Sequence, residues 1–147
     1  MSLMDHLRRP TPTARPWKDL TLPTAVHRVK SMLTSEEKQY LFWLTAERYE
    51  GWGEVVDLGP WLGSSSVALA EGLRRRRSSA KVRSFDVFQG EPSYMESVAP
   101  TGPALGDDFL PLFLREVADN ALWIDARKQD LASIFPRRTR WLISYKQ

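Results

Sequence analysis

Residues Gly53 to Leu73 read GEVVDLGPWLGSSSVALAEGL, and their three parts decide the fold. Glu54-Val55-Val56-Asp57-Leu58 is a short apolar run, β-branched at its centre, of the kind that forms a buried parallel strand. Gly59-Pro60-Trp61-Leu62-Gly63 is a turn with glycine at both ends. Ser64, Ser65 and Ser66 are N-cap candidates for a helix carried by Val67, Ala68, Leu69, Ala70 and Leu73. Strand, glycine turn and helix make a nucleotide-type binding corner. Its free N–H groups and positive helix end face whatever sits above the strand's carboxyl end.

The spacing narrows the ligand. A dinucleotide fingerprint places glycines at relative positions 0, 2 and 5, so that the backbone can approach a pyrophosphate. Counted from Gly59, the two later positions are Trp61 and Ser64. A tryptophan where the pyrophosphate must nestle argues against a nicotinamide or flavin dinucleotide. No Gly-Lys-Ser/Thr follows, so a phosphate-binding loop of the NTPase type is also excluded. What remains is D-x-G-x-x-x-G-x-S, with an acid late in the strand. That arrangement suits a ligand bearing an amino group and a carboxylate but no phosphate.

At these residues the sequence resembles the class I S-adenosylmethionine-dependent methyltransferases, and most closely their small-molecule O-methyltransferase branch. The resemblance implies S-adenosylmethionine as cofactor. Asp57 would be the acid near its methionine end, and Gly59 and Gly63 would let the backbone pass beneath it. The Ser65 hydroxyl would meet the ligand's carboxylate, and Trp61 is counted with the cofactor residues. The alternative is a strand–turn–helix corner that serves only as scaffold.

A chain of 147 residues is expected to form one domain with a core of useful size. Its 42% hydrophobic and 27% charged content are ordinary for a soluble globular protein. Without cysteines there is no disulfide framework and no thiolate chemistry, in keeping with a cytoplasmic location. No apolar run has membrane-spanning length, and the N-terminus lacks a signal-type apolar region, so no membrane partner is expected. The net charge is +3, with basic clusters at Arg74-Arg75-Arg76-Arg77 and at Arg137, Arg138 and Arg140. The first run reads as a solvated helix end, where cations complement the dipole. No stacking aromatics are interleaved with it, so nucleic acid is not an expected partner. His6 and His27 stand far apart without companion ligands, and no metal site is expected.

In chain order, residues 1–31 carry four prolines and no sustained period. They read as an extended, partly disordered arm with room for a short helical turn near Ala25 to Lys30. Residues 32–147 form the expected cofactor-binding domain. Thr34 followed by Glu37 matches the capping box. The helix it opens carries Tyr40, Leu41, Leu44 and Arg48 at helical spacing, with Phe42 and Trp43 widening the apolar face, and stops near Gly51.

Lys81 to Phe88 reads as a second strand with Asp86 near its carboxyl end. Asp86 lies 23 residues beyond Gly63, close to the spacing at which a Rossmann-type acid takes the ribose hydroxyls. Gln89 to Gly106 reads as a long loop, either a lid over the corner or a plain surface connection. Asp107 or Asp108 then caps a helix aligning Phe109, Phe113 and Val117, with Pro111 in its first turn. Ala121 to Ala126 reads as a third strand. In the resembling family the following loop holds the adenine, which would assign Gln129 and Asp130 to that contact; alternatively this is a helix N-cap for Leu131 to Phe135, and Asp130 could do both jobs.

Arg140 to Tyr145 reads as a fourth strand. The expected fold class is therefore α/β, a Rossmann-like, partial doubly wound, mostly parallel sheet of strand order 3-2-1-4, resembling only the cofactor half of a methyltransferase. Metal-dependent members of the family carry an aspartate at the end of this strand, and Leu142-Ile143-Ser144-Tyr145 has none. No general base is identifiable. The fourth strand would lie at an unpaired apolar edge, which implies either a homodimer across it or a domain truncated there. The expected function is methyl transfer from S-adenosylmethionine to an oxygen or nitrogen of a small molecule or sugar. The alternatives are a non-catalytic binding module or inactive fragment, and another nucleotide-binding Rossmann enzyme such as an NAD-dependent reductase.

Overall fold

The computed structural model describes residues 14–90 and 106–134. The expected fourth strand at 140–145, the 3-2-1-4 order that depends on it, the dimer edge, and most of the loop from Gln89 to Gly106 lie outside these residues.

Three parallel strands form the sheet: β1 (Val55–Leu58), β2 (Val82–Asp86) and β3 (Ile124–Lys128), in the order β1-β2-β3. Val55 pairs with Val82 and Leu58 with Phe85, while Val82 pairs with Ile124 and Asp86 with Lys128. The helix α3 (Ser64–Arg75) crosses from β1 to β2 and lays Val67, Ala68, Ala70 and Leu73 into the core. This is an α/β arrangement. Asp57 points towards α3, so its neighbour Val56 points to the opposite face, where it is 41% exposed. The expectation of a buried strand is not met among the described residues: Val55, Asp57 and Leu58 are half-buried and Val56 is exposed.

Ahead of the sheet, α2 (Ser35–Trp43) starts on the expected capping box, with the Thr34 side chain accepting from Glu37 N and the Glu37 side chain accepting from Thr34 N. The helix widens into a π-turn over Leu44–Arg48. There the buried Thr45 hydroxyl donates across to Leu69 O at 2.8 Å, tying this turn to α3.

The arm expected over residues 1–31 is corrected from Trp17 onward. Trp17 packs against Tyr40 and Trp43, with ring centroids 4.9 and 5.3 Å apart. Gln39 Nε2 donates to both Lys18 O and Leu20 O at 2.9 Å. A short helix, α1 (Thr24–Arg28), stands where a helical turn was expected, and Leu22, Val26 and Val29 join the core. Val26 lies within α1, Leu22 precedes it and Val29 is its extended C-cap, so the segment reaches the core through the helix and both of its flanks.

Two strand boundaries also move. β2 ends at Asp86, because Phe88 takes a left-handed φ of 50° and turns its ring into the core against Phe109 and Phe113. β3 begins at Ile124, not Ala121. Ala118–Trp123 is a 3-10 turn instead, which leaves Leu122 74% exposed and seats Asn120 beneath α3. Before it comes α4 (Leu110–Glu116), and after β3 a short α5 (Leu131–Ile134). Asp108 serves the start of α4 by accepting from Leu110 N at 3.0 Å. Among the described residues no helix is long and apolar enough to cross a membrane.

Gly63 shows how tightly α4 is pressed against the turn. Its φ is 98°, and a methyl group there would meet Val117 Cγ1 and lie 3.0 Å from Phe113 Cε2. Left-handed strain and the contact with Val117 act in the same direction. Gly63→Ala is expected to destabilise the chain by about 2 kcal/mol, read from urea denaturation monitored by circular dichroism.

Candidate functional site

The carboxyl ends of the three strands set the site. Gly59 N donates to Phe85 O at 2.9 Å and Gln129 N donates to Asp86 O at 2.8 Å, so the chain leaving each strand stays laced to its neighbour for one more residue. Asp57, Gly59, Asp86 and Gln129 are thereby brought to one edge of the sheet. Gly59 has a φ of 70° and open space where a side chain would stand, which leaves its backbone accessible.

Asp57 is the centre of the arrangement. Its Oδ2 accepts from Ser65 Oγ at 2.8 Å and from Ser66 Oγ at 2.7 Å. Ser66 Oγ is also 2.7 Å from Ser84 Oγ, and both serines are fully buried. An ionised carboxylate only accepts, so Ser66 gives its proton to Asp57 and Ser84 must give its own to Ser66. The result is a directed chain, Ser84 to Ser66 to Asp57, with Ser65 as a second donor.

No lysine, arginine or histidine pairs with Asp57 among the described residues, and no hydrogen bond reaches its Oδ1. Burial pushes its carboxyl above the ordinary range; the hydrogen bonds from Ser66 and Ser65 oppose the rise, and the charge of Asp86 adds to it. A buried carboxylate with two hydroxyl donors and no cation is short of positive charge.

The serines therefore do something other than cap the helix. Gly63 is the N-cap residue, without a side-chain cap, and Val67 N bonds to Gly63 O at 2.8 Å. The Ser65 and Ser66 hydroxyls donate to an anion, a stronger bond than accepting from an amide. Ser65 lies beside Asp57, and its hydroxyl already has that partner.

Trp61 turns inward. It is 7% exposed, has a φ of 49°, and its Nε1 finds no hydrogen-bond acceptor; the buried Ser64 Oγ is likewise unpartnered among the described residues. The ring that excluded a pyrophosphate is part of the core under the turn. Gly63 is likewise needed for packing against Phe113 and Val117.

Asp86 closes a local turn, accepting from Phe88 N at 2.9 Å through Oδ1. It is partly exposed at the sheet edge, beside the strand that carries Asp57. Gln129 and Asp130 are exposed. Asp130 Oδ1 accepts from Ala132 N at 2.9 Å, so this residue caps α5, a role compatible with the adenine contact that the sequence also offered it. Gln129 Nε2 reaches Ser133 Oγ at 3.4 Å.

Ser84 is a site residue that the sequence did not single out, and Ser66 was read there only as an N-cap candidate. Ser84 is a polar residue at an inward strand position directly opposite Asp57, and that register would have flagged it. Among the described residues, no three of His, Cys, Asp and Glu are grouped as a metal ion requires. In comparisons with known proteins, no family model matches the chain and no curated protein matches it.

Proposed function

We propose that this corner binds S-adenosylmethionine and that the chain carries the cofactor-binding part of a small-molecule methyltransferase. The observation that supports it is Asp57: a carboxylate raised in pKa by burial, held by Ser65 and Ser66, and lacking a cation. A ligand with an ammonium group would supply the missing charge at the open Oδ1. The unsubstituted Gly59 backbone would pass beneath it, and Asp86, one strand over, would accept from the ribose hydroxyls. The order β1-β2-β3 is also the order that the first three strands of such a domain would have. Gln129 at the end of β3 would lie towards the adenine, with Asp130 engaged in capping.

Methyl transfer to a bound acceptor needs chiefly an in-line approach to the sulfonium carbon, so the contribution of these residues would be to fix the cofactor rather than to move protons. Asp86 gives the direct test. Asp86→Ala is expected to weaken binding of S-adenosylhomocysteine by about 1–3 kcal/mol, measured by calorimetric titration of a variant whose circular dichroism matches the parent. Unchanged affinity in that folded variant would remove the ribose assignment.

A further inference from the structure

The three parallel strands start level, with Val55, Val82 and Ile124 in register, so the residues just ahead of them share one edge of the sheet. Trp52 lies there ahead of β1, Lys81 ahead of β2 and Leu122 ahead of β3. Helix α3 runs from Ser66, beside Asp57, back to this amino edge, where the Arg74 guanidinium lies 5.8 Å from the Trp123 ring centre. Arg75, Arg76 and Arg77 follow it. The Asp57 corner is at the opposite, carboxyl edge.

Two features mark the amino edge. The first is apolar exposure. Trp52 is 78% exposed and Leu122 74%, more than any other large apolar side chain among the described residues. Both are held outward by local structure. Gly51 and Gly53 take φ of 92° and 76° on either side of Trp52, Tyr49 Oη donates to Gly53 O at 2.8 Å, and Trp52 Nε1 donates to Glu50 Oε2 at 3.2 Å. Leu122 stands on the 3-10 turn that Asn120 fastens to the buried Glu71. β1 and β3 are two strand spacings apart, which sets the two side chains roughly 10 Å apart along the edge. A lone apolar residue on a surface is ordinary; the two most exposed sharing one edge are not.

The second feature is charge. Arg75, Arg76, Arg77 and Lys81 are exposed and make no ion pair among the described residues. The acids near them are engaged: Glu54 with Arg83, Asp119 with Arg28 and Glu71 with Arg74. Only Glu50, bonded to the indole of Trp52, offsets the excess. The carboxyl edge has the opposite sign, with Asp57, Asp86 and Asp130 along it.

We propose that the amino edge docks on an anionic lipid surface, with Trp52 and Leu122 at the headgroup boundary and Arg75, Arg76, Arg77 and Lys81 on the lipid headgroup charges. Clustered cations draw anionic headgroups, and a tryptophan whose N–H is satisfied suits the boundary between water and acyl chain. Leu122 offers a base no ring to stack on, which favours lipid over nucleic acid. Docking of this kind needs no spanning segment. It turns the Asp57 corner towards solution, where a ligand can reach it.

The test is co-sedimentation of the full chain with vesicles of phosphatidylcholine alone and of phosphatidylcholine mixed with phosphatidylserine. Binding is expected with the mixed vesicles only. Raising salt from about 0.1 to about 1 M, which shortens the screening length from about 10 to about 3 Å, should release the chain. Trp52→Ala and Leu122→Ala, in variants whose circular dichroism matches the parent, should each weaken binding by at least about fivefold. Arg76→Gln with Arg77→Gln should weaken it by about twentyfold, near fivefold for each cation. Leu114→Ala alters another exposed leucine, on the helix pressed against the Gly63 turn, and should change binding by less than about twofold. No binding to the mixed vesicles, equal binding to both kinds, or a loss in Leu114→Ala equal to that in Trp52→Ala and Leu122→Ala would each overturn the proposal. So would tighter binding to a single-stranded oligonucleotide than to the mixed vesicles at equal phosphate concentration.

Discussion

Replacing Gly72 with alanine is expected to destabilise the chain by about 3 kcal/mol or more, the largest loss from any single methyl group here. The direction runs against helix propensity. In an open helix position, glycine to alanine stabilises by about 1 kcal/mol. Gly72 lies where α3 crosses the π-turn: an added Cβ would meet Thr45 Oγ1 and would come 2.5 Å from Phe42 O and 2.8 Å from Ala46 N. Two of those three atoms are backbone and cannot swing aside. The helices must separate, and the 2.8 Å bond from Thr45 to Leu69 O is lost with the contact. Urea denaturation of both proteins measures the difference. A loss below about 1 kcal/mol would mean that α2 and α3 do not pack at this distance.

Asp57→Asn is expected to move stability and ligand affinity in opposite directions. Burial raises the Asp57 carboxyl, so the folded chain holds this proton more tightly than the unfolded chain does. The contribution to stability is therefore fully present below the ordinary carboxylate pKa and is lost as pH rises through the raised value. At neutral pH the ionised group weakens the fold. Asparagine removes the charge yet keeps an oxygen for Ser65 and Ser66, so the variant should melt at a higher temperature than the parent at pH 7. The gap should close on acidification. Binding of a ligand through its ammonium group should fall by about 3 kcal/mol, or roughly two orders of magnitude in Kd, as when one partner of a buried ion pair is removed. Melting curves at pH 4 and 7, with S-adenosylhomocysteine titrations at pH 7, check both signs. A variant less stable at pH 7 and equal in affinity would contradict the description of Asp57 as a carboxylate awaiting a cation.

The corner was legible because its parts are punctuated by chemistry that acts locally. A β-branched run, a glycine on each side of the turn and an apolar helix pattern leave few other conformations: β1 falls within a residue of where the sequence puts it, and α3 forms where expected but starts at Ser64 with Gly63, not a serine, as its N-cap. The capping box at Thr34 and Glu37 is local in the same way. What the sequence obscured depends on contacts made across the fold. Ala121-Leu122-Trp123 has the composition of a strand, yet the register with β2 starts only at Ile124, and the residues before it coil to bring Asn120 to Glu71. The arm looked unstructured because its prolines are conspicuous, whereas the residues that reach the core, Leu22, Val26 and Val29, are not.

At the site the same division appears. The strand-end positions of Asp57 and Asp86 and the turn glycines were readable from spacing. The serines were not, because whether a hydroxyl at a helix start caps the helix or turns back to an acid depends on where the preceding strand ends. Here the strand returns Asp57 to within 2.8 Å of both hydroxyls, and the carboxylate outcompetes the amides. Trp61 excluded a dinucleotide by its size, but its burial beneath the turn follows only from the surrounding core.

Calorimetric titration of S-adenosylhomocysteine into the purified chain at neutral pH tests the central claim most directly, with circular dichroism on the same sample. Saturable binding at one site, weakened by roughly two orders of magnitude in Asp57→Asn, is the expected result. A cooperatively folded chain that takes up no ligand would contradict the account and leave the Asp57 corner as scaffold.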